Sequence, residues 1–167
     1  SATGFSVRYN EQDNQSYIIT NDHFCINFIQ SSSAIMIVEN SRSPSISDPS
    51  GEEMIGRIIY SDAERDLCLV VTYGLFRPAT LSTRYYNARS FEEVKIVGAP
   101  NGTFPIITDT YISGYLERKE IGLGAISTDG NDFILLSGII FPGHSGSPVY
   151  NKDGEVIGIL FAALETY

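Results

Sequence analysis

Short runs of apolar residues, many alternating with polar ones, recur along the whole chain and are separated by turn-forming residues. They predict strands at residues 4–9, 16–20, 34–38, 53–60, 67–73, 94–98, 108–116, 122–127, 133–137, 147–150 and 156–161. Between them lie NEQDNQ (10–15), SRSPSISDPSG (41–51), GAPNG (98–102) and TDGND (128–132), all rich in Gly, Pro, Asn, Asp and Ser. TDGND predicts a hairpin, and so does NKDGE (151–155) with its Asp-Gly pair. Strands at this spacing predict an all-β barrel or sandwich. Nothing in the pattern has the period of a long amphipathic helix. No apolar run reaches the ~18–20 residues of a membrane span, so no membrane insertion is expected. The stretch 76–91 has no clean period and predicts a connection between two halves.

Composition sharpens this only in places. At 167 residues the chain is one domain or two very small ones, large enough for a core without metal or disulfide staples. Twenty acidic against 11 basic residues give a net charge of −9. Nucleic acid and anionic membranes both need a basic footprint, so neither is an expected partner. Two cysteines, Cys25 and Cys68, allow one disulfide, but each sits among apolar neighbours and reads as a buried free thiol. The chain begins at Ser1 with no initiator Met and no signal-peptide pattern, which fits a processed form or an excised domain and leaves its compartment open.

Candidate chemistry concentrates in Gly143-His-Ser-Gly-Ser-Pro-Val149. A serine alcohol is a poor nucleophile without a base to take its proton and donors to stabilise an oxyanion. Glycines on both sides of Ser145 let the backbone turn tightly and gather amides into one concavity, so Gly143 and Ser145 are the candidate oxyanion donors. Of the two histidines, His144 adjoins the serine, and neighbouring side chains diverge. His23, after the apolar run Tyr17-Ile-Ile-Thr20, is therefore the candidate base. A carboxylate must orient it. Asp66 leads into the apolar run Leu67-Cys-Leu-Val-Val71, an odd place for an acid unless it is paired, and it is preferred over Asp62 and Asp22.

In the order His23, Asp66, Ser145, separated by 43 and 79 residues, these segments resemble the chymotrypsin/trypsin-like serine peptidases, especially the Deg/HtrA-type branch. Ala2-Thr-Gly-Phe-Ser-Val7 resembles the opening strand, Tyr17-Ile-Ile-Thr-Asn-Asp-His23 the base block, and Asp66-Leu-Cys-Leu-Val70 the aspartate block. Gly143–Val149, with Gly154-Glu-Val-Ile-Gly-Ile-Leu160, resembles the nucleophile block and the strand that follows it. The resemblance spans residues 2–163. It implies two six-stranded antiparallel β-barrels, residues 1–80 carrying His23 and Asp66 and residues 81–167 carrying Ser145, with the site in the cleft between them. It also implies a polypeptide substrate hydrolysed through an acyl-enzyme.

Departures from the family pattern matter too. His144 replaces the acid that pairs with a freed N-terminus in digestive-type relatives, so activation by N-terminal insertion is not expected. Ser147 stands where a second glycine is commoner. By resemblance Ile139, six residues before the serine, is the base of the primary pocket, and Phe161-Ala162-Ala163 is the strand that pairs with substrate. An apolar pocket follows, although a shifted register would make Ile139 core. No His/Cys/Asp/Glu cluster has metal-ligand spacing, so neither metal nor cofactor is expected. The competing reading is a protease-fold binding or scaffolding domain without activity.

Overall fold

The computed structural model describes residues 2–31, 35–38, 53–83, 91–99, 105–116, 133–138 and 143–161. β-branched and aromatic residues on alternating faces build its strands: β1 (Phe5–Asn10), β2 (Gln15–Thr20), β3 (Ile35–Val38), β4 (Glu53–Asp62) and β5 (Leu67–Tyr73), then β6 (Glu93–Gly98), β7 (Ile106–Leu116), β8 (Phe133–Ser137), β9 (Pro148–Tyr150) and β10 (Val156–Ile159). Each matches a predicted strand to within two residues at either end. The predicted strand 122–127 and the hairpin 128–132 lie outside the described residues. The Asp-Gly hairpin is present, with Asn151 turning β9 antiparallel onto β10.

The strands form two antiparallel sheets of five, ordered β1-β2-β5-β4-β3 and β10-β9-β6-β7-β8. The fold is of the chymotrypsin-like, two-sheet all-β type. Where six strands per barrel were expected, five in each sheet fall among the described residues. A parallel bridge from Leu81 to Val156 extends the outer edge of the second sheet.

Each sheet has its own core. Ile18, Ile35 and Val70 are buried together with Cys25 and Cys68 in the first, backed by Phe24, Phe28, Ile58 and Phe76. Val94, Ile96, Ile112, Val149 and Leu160 fill the second. The chain passes from one to the other over a few residues. The Ala79 N–H donates to Ser6 in β1, whereas the Thr80 carbonyl and the Ser82 N–H both bond Val156 in β10.

One expectation needs correction, and one element was not among those expected. The segment after β2 is a ten-residue helix, α1 (Asp22–Ser31). Its apolar residues Phe24, Cys25 and Phe28 share one face at one-turn spacing, and the Phe24 and Phe28 rings lie 5.0 Å apart. A helix this short repeats that spacing too few times to stand out in the sequence pattern. It also turns Cys25 inward. Cys25 and Cys68 are buried as expected, but they are bridged and not free thiols. The helix brings the two Cα atoms to 6.5 Å, within the span a disulfide can close. No helix among the described residues is long and apolar enough to cross a membrane.

Candidate active site

β2 ends at Thr20, and His23 is the second residue of α1. The first amides of a helix have no partner within it and need an outside acceptor. Asp66 supplies one: its Oδ1 accepts the His23 N–H at 2.8 Å, and its Oδ2 lies 2.7 Å from His23 Nδ1. A carboxylate only accepts, so Nδ1 carries a proton, and it is Nε2 that keeps the lone pair in the neutral ring. One side chain thus fixes both the start of the helix and the orientation and tautomer of the imidazole. The His23 side chain is half exposed, whereas that of Asp66 is 22% exposed.

Asp66 sits just before β5 with φ +54°, a left-handed conformation that Asp tolerates better than most residues. Its carbonyl accepts a hydrogen bond from Asn21 Nδ2 at 3.1 Å. Asn21 is buried and ties the strand end before His23 to the residue that orients it. Asn21 stands two positions before the histidine, where nothing in the local sequence pattern signals this role.

Neither rival carboxylate bonds His23. Asp62 accepts the backbone amides of Glu64 and Arg65 and pairs with the Arg65 guanidinium. Hydrogen bonds from the Arg65 backbone and side chain hold its carboxyl below the usual range. Asp22 is buried and accepts the Ser61 hydroxyl.

The nucleophile segment is built from main-chain bonds. Ser147 N–H donates to the His144 carbonyl at 3.0 Å, closing a β-turn with Ser145 and Gly146 at its centre. Gly146 has φ +89° and Gly143 φ +91°, a region glycine enters without strain. Gly146 N–H donates to Leu160 at 2.7 Å, and Leu160 N–H donates to Ser147 at 2.9 Å. A Cβ on Gly146 would collide with the Thr3 carbonyl oxygen and lie 2.6 Å from Thr20 Oγ1. The turn is therefore pressed against the end of β2, three residues before His23. Ser145 is half-buried, and among the described residues neither its amide nor that of Gly143 donates a hydrogen bond. No hydrogen bond joins the Ser145 hydroxyl to the His23 ring among those residues, and such contacts often tighten only with substrate bound.

His144 takes no place beside Ser145. It is fully buried against Gly98 at the end of β6, where any Cβ would come within 2.8 Å of His144 Cδ2 and 2.5 Å of Ser147 Oγ. Burial pushes its pKa down, favouring the neutral ring. Phe161 follows directly on Leu160, with its ring 4.9 Å from that of Phe133. Ile139, Ala162 and Ala163 lie outside the described residues.

Residues 2–159 match a family described as the trypsin-like peptidase domain. The chain is similar to the serine protease Do-like HtrA of Bacillus subtilis, 26% identical over 162 residues, covering 95% of this chain and 33% of that protein. It is also similar to serine protease HTRA1 of Xenopus tropicalis and of Xenopus laevis, 30% identical to each over 125 residues. Those two matches take in 74% of this chain and 26% and 27% of the respective relatives. The chain thus spans a third or less of the length of these curated relatives.

Proposed function

Because the chain belongs to the trypsin-like peptidase family, we propose that it is a serine endopeptidase working through Ser145, His23 and Asp66. The observation that carries this reading is the double engagement of Asp66 with the amide and the imidazole of His23, which leaves Nε2 as a free base. As a substrate carbonyl enters, Ser145 Oγ attacks its carbon and His23 Nε2 takes the hydroxyl proton. The carbonyl π pair moves onto oxygen, where the Gly143 and Ser145 amides stabilise the oxyanion. Its collapse expels the amine, which leaves with the proton from His23. Water then attacks the acyl-enzyme by the same route, and Ser145 regains its proton. Asp66 stays ionised throughout and stabilises the imidazolium.

Residues 1–80 form the first barrel and residues 81–167 the second, a division supported by the change of bonding partner between Ala79 and Thr80. The substrate is a polypeptide laid along Phe161–Ala163 as an added strand, with an apolar residue entering a pocket based on Ile139.

The test is labelling with a fluorophosphonate probe, together with hydrolysis of a peptide library. Ser145 should react, and Ser145→Ala or His23→Ala should abolish labelling and lower turnover by a factor on the order of 10⁶. A folded protein that neither labels nor cleaves would favour the binding-domain reading. Cleavage after Lys or Arg but not after Leu, Val or Phe would refute the apolar pocket.

A further inference from the structure

Thr3 precedes β1, belongs to neither sheet and is 8% exposed, yet it uses every hydrogen-bonding group it has. Its N–H donates to the Ser145 carbonyl at 2.8 Å, and its hydroxyl donates to the Gly143 carbonyl at 2.9 Å. The same hydroxyl accepts the Ala99 N–H at 3.0 Å, just past β6. Its carbonyl accepts the Thr20 hydroxyl at 2.8 Å, at the end of the strand that leads to His23. One side chain and its peptide units therefore join the β2 end, the β6 end and the serine turn.

The carbonyls Thr3 holds belong to the peptide units on either side of the one carrying the Ser145 N–H. Gly143 has no Cβ and sits at φ +91°, so sterics alone hold its peptide plane weakly. A hydrogen bond to its carbonyl supplies the missing constraint. The 145–146 unit is fixed at both ends, its carbonyl by Thr3 and its N–H by Leu160. Oxyanion donors are effective only when they are aimed before the charge develops.

We propose that Thr3 is a positioning residue whose hydroxyl pins the Gly143 peptide and so aims the Gly143 and Ser145 amides at the oxyanion, an assignment that rests on the serine-peptidase reading. It acts through those amides and touches no reacting atom. Its effect therefore belongs in kcat and in transition-state affinity, with little in ground-state binding.

Thr3→Val keeps the shape and the main-chain bonds but removes the hydroxyl, while Thr3→Ser restores it. For hydrolysis of a peptide amide by the full chain, Thr3→Val should lower kcat about 10- to 100-fold, below the 10²–10³ of losing an oxyanion donor outright. KM should stay within about twofold, and Thr3→Ser should recover kcat to within about threefold. Affinity for a peptide aldehyde should fall in parallel with kcat. Peptide binding measured in a Ser145→Ala background should not change. Equal losses in Thr3→Val and Thr3→Ser, unchanged kcat in Thr3→Val, or matching losses of peptide binding would each overturn the assignment. Thr20→Val removes the bond to the Thr3 carbonyl and should cost several-fold in kcat; it carries the test should Thr3→Val not fold. If the wild-type chain shows no Ser145-dependent hydrolysis, the peptidase reading fails on its own. Backbone ¹⁵N relaxation then decides for Thr3: order parameters across 143–146 should fall in Thr3→Val and not in Thr3→Ser, and equal values would refute the pinning.

Discussion

The two halves of the candidate site are held in different ways. Around His23 the constraints are side chains and one covalent bond: the Asp66 carboxylate, the Asn21 amide and the Cys25–Cys68 bridge. Around Ser145 they are chiefly peptide groups and glycines, joined by the Thr3 and Thr20 hydroxyls. A base must present one ring nitrogen in one orientation, which calls for a partner on its other nitrogen. An oxyanion hole is made of backbone, so backbone conformation is what has to be fixed. Substitutions near His23 should accordingly act through lost charge and lost bonds, and those at the glycines of the Ser145 turn through steric exclusion.

Asp66→Asn should give the largest effect of the four that follow, with kcat falling by about 10⁴ while the fold is kept. The amide replaces an acceptor with a donor and favours the wrong imidazole tautomer. A pH-independent kcat within tenfold of wild type would show that the carboxylate is only a helix cap. Gly146→Ala should come next, lowering activity by more than about 10² and weakening the fold, because the methyl group meets Thr3 and Thr20 in a left-handed conformation. Retained activity and melting temperature would remove the steric half of the comparison.

Replacing both cysteines by alanine should cost about 2–4 kcal/mol in denaturant unfolding, since the bridge closes a 43-residue separation. Activity at 25 °C should fall less than tenfold, because the His23–Asp66 bonds remain. A larger loss would mean that the covalent bond, and not the carboxylate, sets the ring. The smallest effect is one of pH. His144 has a folded pKa below its ordinary value of 6.5 because burial disfavours the charged ring. Between those two values the unfolded chain binds the proton and the folded chain does not. Its stabilising contribution is therefore whole above about pH 6.5 and is lost as pH falls towards the folded pKa. Melting temperature followed from pH 7.5 to 5 should decline, and the decline should flatten in His144→Gln.

Much of this was legible in the chain. Alternation within 16–20 and 67–73 and the Asp-Gly pair at 153–154 carry their own structure, because neighbouring residues decide it. The candidates His23, Asp66 and Ser145 were legible through chemistry and order, and Asp66 stood out as an acid leading into an apolar run. What was missed depends on distant partners. Cys25 reads as one more apolar residue until α1 turns it towards Cys68. Thr3 reads as a small residue in an opening segment, and its hydroxyl bonds chain 96 and 140 residues away. Asn21 gains its role only when Asp66 arrives from 45 residues on. Local pattern holds none of that information.

The Cys25–Cys68 bridge has a further consequence for a chain proposed to act on other polypeptides. Everything between those two positions belongs to a closed covalent ring, which includes β3 and β4. A single nick anywhere in that ring, self-inflicted or not, severs the backbone yet frees no fragment. The segments bearing His23 and Asp66 stay tethered to each other, and the damage shows as two pieces only once the molecule is reduced.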